Sequence, residues 1–175
     1  MTTQLKCMLG EANRGIASSA YKAGKMLEDE GYSDVIAQVQ YRRAARSGYA
    51  PAQRLLGILG LCGKLIEEGS SICNVRFCDS PEAGITWIRE AACGGDALSV
   101  YILGKCHQLG LGVEKDEDKA ALILNSVVAY VSWSEVISFS MLLESVTRQE
   151  TDAHAAFKPS KELLHLVRNR GTAPA

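Results

Sequence analysis

The stretch YILGKCHQLGLGVEKDEDKA contains three groups of residues that could do chemistry. Gly110 and Gly112 resemble the start of a glycine-rich loop that binds phosphate. Cys106 and His107 could form a nucleophile with its base, or could bind a metal. The acidic run at 114–118 could supply paired carboxylates for acid–base catalysis. Which of these chemistries is possible depends on the elements that hold the residues.

The elements predicted around this stretch do not suit an enzyme. A dinucleotide-binding loop needs G-x-G-x-x-G between a strand and a helix, whereas here a helical pattern precedes Gly110 and no third glycine follows at that spacing. Neighbouring residues on a helix point about 100° apart, so Cys106 and His107 cannot meet as nucleophile and base. Acidic residues at a helix start favour the helix dipole, and Asp116 suits the N-cap. We therefore predict structural roles for all three groups, no enzymatic activity and no cofactor.

Composition is that of an ordinary globular protein. The chain has 175 residues, 47% hydrophobic and 22% charged, with a net charge of −1. This charge balance predicts neither a nucleic-acid partner nor an anionic membrane surface. The N-terminal sequence has no long apolar core and no run of apolar residues reaches membrane-spanning length, so we expect a cytoplasmic protein, or a periplasmic or secreted one if a leader has been removed.

The six cysteines leave one metal hypothesis open. Without a secretion signal they are most simply reduced thiols, and no metal site is predicted from their spacing. Four of them could nevertheless converge around the segment 64–79 and hold a metal or a disulfide. These four are Cys62, Cys73, Cys78 and Cys93.

The chain contains an internal repeat. Residues 41–58 align with residues 88–105 at a constant offset of 47, with seven identities in 18 positions and no gap. A less similar earlier copy begins at Ala20. In each copy one helix carries a glycine in mid-helix, where glycine costs about 1 kcal/mol of stability relative to alanine. Close packing of a neighbouring helix against the bare backbone would explain why a glycine is found there. The other ends in paired alanines and then a glycine suited to a left-handed C-cap. Helix pairs at such a period are typical of an all-α, α-solenoid fold.

These motifs resemble the Sel-one-like repeat family, a relative of the tetratricopeptide repeat. The resemblance covers about residues 17–128 and is clearest in the third copy. Nine residues of that copy match the family pattern, and they are Ala97, Leu103, Gly104, Gly110, Gly112, Val113, Asp116, Lys119 and Ala120. In the second helix of the second copy Trp87, Ala91, Ala92 and Gly95 match. His107 takes the family's tyrosine position, so we expect it to pack.

The resemblance implies one domain, a right-handed α-solenoid with three helix-pair repeats and a capping helix or helices at each end. The repeats are expected at 17–48, at 50–95 with an inserted loop at 64–79, and at 97–131. An N-terminal helix is expected at about 3–13, and C-terminal capping helices at 133–149 and 159–170.

Two further side-chain predictions come from composition. Ile72, Val75 and Phe77 indicate that the inserted loop packs against the rest of the protein. The three arginines of YRRAARSG (Arg42, Arg43 and Arg46) are expected on a solvated helix face.

In the related tetratricopeptide repeats, three positions around the mid-helix glycine face inward. We call the corresponding residues the inner stripe, and they are Tyr21, Lys25, Glu28, Arg54, Ile58, Leu61, Tyr101, Lys105 and Gln108. An aromatic and basic stripe suits a protein or peptide with acidic groups or a free carboxylate. We therefore expect a non-enzymatic adaptor or scaffold. The alternatives are a cytosolic secretion chaperone or inhibitor of one client and, less favoured, a cysteine-based metal protein.

Overall fold

A computed structural model describes residues 1–78, 80–132, 136–137 and 139–141. Within that part of the chain, helices follow one another with short connections and one longer insertion. The helices are α1 (Thr3–Asn13), α2 (Ala17–Asp29), α3 (Asp34–Arg46), α4 (Ala50–Leu61), α5 (Pro81–Cys93), α6 (Ala97–Leu109) and α7 (Glu117–Val127).

Each helix packs chiefly against the helix before it and the helix after it in the chain. The pairs α2–α3, α4–α5 and α6–α7 correspond to the three predicted repeats, and α1 packs on α2. This arrangement confirms the predicted all-α solenoid. Helix α7 ends earlier than predicted, at Val127. Residues 136–137 and 139–141 are helical, whereas the rest of the predicted helix at 133–149 and the helix at 159–170 lie outside the described residues.

The paired alanines and the glycine after them close the second helices as predicted. Gly48 has a φ of 77°, and the backbone amide of Tyr49 donates to the Ala44 carbonyl at 3.2 Å. Gly95 has a φ of 87°, and the Asp96 amide donates to the Ala91 carbonyl at 3.1 Å. Only glycine adopts such angles without strain, and these bonds satisfy carbonyls that the helix end leaves open.

The mid-helix glycines lie where a neighbouring helix approaches, which confirms the packing prediction. A Cβ built on Gly24 would come within 2.5 Å of the Tyr41 ring, and one on Gly104 within 2.9 Å of Leu124. Two helix backbones come closest between α4 and α5, where a Cβ on Gly60 would lie 2.5 Å from the Gly84 Cα. The backbones of these two helices touch at that crossing, and sequence reasoning had not singled out Gly60 or Gly84.

The inserted segment forms a short hairpin, called the insertion hairpin (residues 64–78). Isolated antiparallel bridges pair Ile66 with Phe77 and Ser71 with Asn74. The hairpin packs through its base, because Leu65 and Ile66 are buried. The predicted packing of the loop is confirmed at this base, but Ile72, Val75 and Phe77, which had indicated packing, do not provide it. They are exposed by 59%, 38% and 47% and lie toward the tip and the second arm.

Helix α3 holds the base of the insertion hairpin by polar contacts. The Gln38 Nε2 donates to the Lys64 carbonyl at 2.9 Å, and the Ile66 amide donates to the Gln38 Oε1 at 2.9 Å. Arg42 donates to the Ile66 carbonyl and is only 8% exposed, so its predicted place on a solvated face is wrong. Burial lowers the pKa of Arg42, while Glu68 opposes that effect. Arg46 is exposed, as predicted, and pairs with Glu68 at 2.5 Å.

Candidate functional site

The stretch YILGKCHQLGLGVEKDEDKA forms the end of α6, a turn and the start of α7. Gly110 is the left-handed C-cap of α6 with a φ of 76°, and Gly112 has a φ of 63°. Asp116 caps α7, because its Oδ1 accepts the Lys119 amide at 2.9 Å. The predicted structural roles of the glycines and of Asp116 are confirmed.

Cys106 and His107 are packed inside the protein. Cys106 is fully buried, and burial raises the pKa of its thiol to about 12, which keeps it protonated near neutral pH. His107 is 5% exposed, with its Nδ1 3.3 Å from the Glu114 carbonyl oxygen. The prediction that His107 packs is confirmed.

The four cysteines of the metal hypothesis do not form a cluster. Cys73 and Cys93 are exposed, Cys78 packs on the core of the first repeats, and Cys62 packs on the core of the later ones. Within the described ranges, no group of three or more histidine, cysteine or acidic side chains is placed to hold a metal ion. All six cysteines are free thiols, and burial raises the pKa of Cys62 to about 11.

The inner stripe has a buried floor. Tyr21, Ile58, Leu61 and Tyr101 are exposed by 9%, 2%, 4% and 7%. Ile58, Leu61 and Tyr101 belong to one apolar cluster that also contains Val131 and Phe139 from the segment after α7. These four side chains are thus largely covered by the protein itself, and their contact with a partner stays a prediction.

At the first repeat the floor of the inner stripe is aromatic. The ring of Tyr21 lies 5.5 Å from the ring of Tyr41 and 5.5 Å from the ring of Tyr49. The Tyr41 hydroxyl donates to the Glu28 Oε2 at 2.7 Å. Glu28, predicted to contact a partner, thus also fixes the pair α2–α3.

The polar members of the inner stripe are partly or fully exposed, and we call them the rim residues: Lys25, Glu28, Arg54, Lys105 and Gln108. Lys25 and Lys105 occupy the same repeat position on α2 and α6, one residue after the packing glycine. The Lys105 ammonium donates to the Gln108 Oε1 at 2.8 Å.

Arg54 has a structural partner that sequence reasoning missed. Its guanidinium forms an ion pair with Asp96, and the two side chains are 17% and 16% exposed. Asp96 is also the N-cap of α6, since its Oδ2 accepts the Ser99 amide at 2.9 Å. Arg54 therefore joins α4 to the start of α6. The sequence did contain a signal for this contact, since Asp96 directly precedes the predicted start of α6 and is suited to an N-cap.

Sequence reasoning also missed a small cavity beside the third repeat's part of the inner stripe. It has a volume of about 140 Å³ and lies between α6, α7 and the segment after α7. Tyr101 and Lys105 belong to its wall. Its other wall residues come from positions 124–136, which no repeat alignment would bring to the stripe.

Helix pairs with this turn geometry and these packing glycines define an α-solenoid of the Sel1-like type. Solved structures agree with that fold. A Sel1 repeat protein from Oxalobacter formigenes superposes with a TM-score of 0.60 at 23% identity, covering 79% of this chain and 98% of that one. A protective antigen present in uropathogenic Escherichia coli strains, which displays the same fold, has a TM-score of 0.51 at 18% identity, covering 90% of this chain and 37% of that one.

No protein-family model and no curated protein matches the sequence. The chain is thus a structural relative of Sel1-like repeat proteins, as its turn and packing motifs predicted. None of the helices in the described ranges combines the length and the apolar character that spanning a bilayer requires.

Proposed function

We propose that the protein is a non-enzymatic adaptor that binds a partner protein or peptide through the rim residues of its inner stripe. The observation that carries the proposal is the repetition of a partly exposed lysine at one repeat position, Lys25 on α2 and Lys105 on α6, with Arg54 on α4 between them in the chain. Solenoids commonly bind along such a surface because successive repeats present equivalent positions side by side.

The chemistry of the rim residues favours a partner with acidic groups. Carboxylates form charge-assisted hydrogen bonds with lysine and arginine that are stronger than neutral ones. The same helices carry buried residues of the inner stripe, Tyr21 and Tyr101 among them, and a low-dielectric surrounding strengthens such bonds. Six free thiols fit a reducing compartment, and the cytoplasm is therefore part of the proposal.

The test is affinity capture from the source cell with two charge-reversal variants. The rim variant is Lys25→Glu with Lys105→Glu. The control is Lys6→Glu with Lys119→Glu, which changes the net charge equally at exposed positions on α1 and α7. We expect the rim variant to lose the partner and the control to retain it, at unchanged helicity in circular dichroism. Equal capture by both variants would contradict the proposal.

Arg54 is left out of the capture test because its ion pair with Asp96 would confound binding with stability. The same experiment separates the adaptor from the alternative function. A capture dominated by one exported client would favour a secretion chaperone or inhibitor, whereas a resident cellular complex would favour the adaptor.

A further inference from the structure

The cavity beside Lys105 has the size and lining of a pocket for one large apolar side chain. Its volume of about 140 Å³ is close to that of an engineered cavity of about 150 Å³ that binds benzene in another protein. Its apolar wall consists of Leu124, Val128, Val131 and Val136. Burying an apolar side chain against such a lining is favourable, because it covers apolar surface and leaves few polar groups in need of hydrogen bonds.

The wall of this cavity is fixed on one side. The Tyr101 hydroxyl lies 3.0 Å from the Ser140 Oγ, and Tyr101 is 7% exposed, so its ring holds one orientation. Val131 is 9% exposed and belongs to the apolar cluster that includes Tyr101. Val128, by contrast, is 60% exposed and marks the open side. A side chain from outside can therefore enter past Val128 without displacing the core.

Two polar side chains also belong to the lining of the cavity. Lys105 and Asn125 line it beside the apolar wall. Within the described part of the chain Lys105 forms no ion pair, and its ammonium donates to Gln108, which is exposed. The positive charge thus lies at the solvent side of the cavity, where a residue next to the buried one would reach it.

We infer that this cavity binds a partner segment in which a phenylalanine or leucine is followed by an acidic residue. The apolar side chain fills the cavity, and the neighbouring side-chain carboxylate pairs with the Lys105 ammonium while the Asn125 amide can donate a second bond. The inference rests on the proposed function and specifies a short sequence motif that the partner would contain.

The probe is the capped peptide acetyl-Ser-Phe-Glu-Ser-amide, titrated into the labelled protein and followed by amide shifts in two-dimensional NMR. We expect millimolar binding with shifts concentrated at Asn125, Val128 and Val131. Replacing the peptide's phenylalanine by alanine should weaken binding at least about tenfold. Replacing its glutamate by glutamine should weaken binding about two- to fivefold, since a solvent-accessible ion pair contributes little.

Two protein variants have matched controls. Val128→Trp should fill the cavity and abolish the shifts, whereas Leu122→Trp, at a residue of α7 that is 74% exposed and does not line the cavity, should leave them unchanged. Lys105→Met should lose the preference for glutamate over glutamine, and Lys119→Met should keep it.

The inference is overturned if the phenylalanine and alanine peptides shift the same residues equally, if no shifts reach the cavity, or if Val128→Trp still binds. These titrations address the cavity alone. If the natural partner is still captured by Val128→Trp but lost by the rim variant, the proposed function stands and only the cavity assignment fails.

Discussion

Replacing Gly84 by alanine should destabilise the protein, because the added methyl group would meet backbone atoms of the neighbouring helix. A Cβ at Gly84 would lie 2.6 Å from the Gly57 carbonyl oxygen and 2.7 Å from the Leu61 amide nitrogen. Both contacts are with backbone atoms of α4, which no side-chain rotation can relieve. Helices α4 and α5 would have to move apart, and they carry the middle of the array.

The magnitude follows from two opposing terms. Overpacking a close contact costs about 1–3 kcal/mol, and two contacts with backbone place Gly84→Ala at about 3 kcal/mol. Alanine in place of glycine inside a helix returns about 1 kcal/mol. The net loss of unfolding free energy is therefore about 2 kcal/mol, or about 4–8 °C in Tm for a protein of this size.

Gly10→Ala is the matched control. Gly10 lies in α1, and nothing stands within 4 Å of its would-be Cβ. Only the helix-propensity term applies, so this variant should gain up to about 1 kcal/mol. Urea unfolding followed by circular dichroism measures both. If Gly84→Ala were as stable as Gly10→Ala, the helices would not approach as closely as described and the packing argument would be refuted.

Three other perturbations test separate contacts. Asp96→Ala removes both the α6 cap and the partner of Arg54, and should cost about 2 kcal/mol in urea unfolding, whereas Asp96→Asn should cost less because an amide oxygen still caps the helix. Gln38→Leu leaves two backbone groups of the insertion hairpin unsatisfied, so the free energy of unfolding should fall by about 1–3 kcal/mol and tryptic cleavage within the hairpin should become about tenfold faster. At pH 8 the three exposed cysteines should react first with a thiol reagent. Cys62 and Cys106 should react only on unfolding, because burial raises their thiol pKa values to about 11 and about 12 and so withholds the reactive thiolate.

The helix pairs and their turns could be predicted because local chemistry determines them. A glycine after paired alanines, as at Gly48 and Gly95, ends a helix through its own backbone angles. A mid-helix glycine such as Gly24 or Gly104 indicates close packing, because glycine destabilises a helix unless a neighbouring helix needs the space. These signals need no knowledge of distant residues.

Burial of the inner stripe could not be predicted, because it depends on residues far away in the chain. The alignment placed Ile58 and Leu61 together on one side of α4 but could not show that Val131 and Phe139 join the same apolar cluster. The bond from Gln38 to the insertion hairpin likewise spans 26 residues of sequence. A repeat pattern describes what each copy shares, whereas these contacts exist in one place only.

The contact between the insertion hairpin and α3 also limits how this array can lengthen by duplication. A duplicated second repeat would place its hairpin against α5 instead of α3. At the repeat offset of 47, α5 offers Ile85 where α3 has Gln38. The backbone groups that Gln38 satisfies, the Lys64 carbonyl and the Ile66 amide, would then be buried without partners. The insertion hairpin of the second repeat thus depends on a side chain of the first, and a copy inserted between the two would lose that contact.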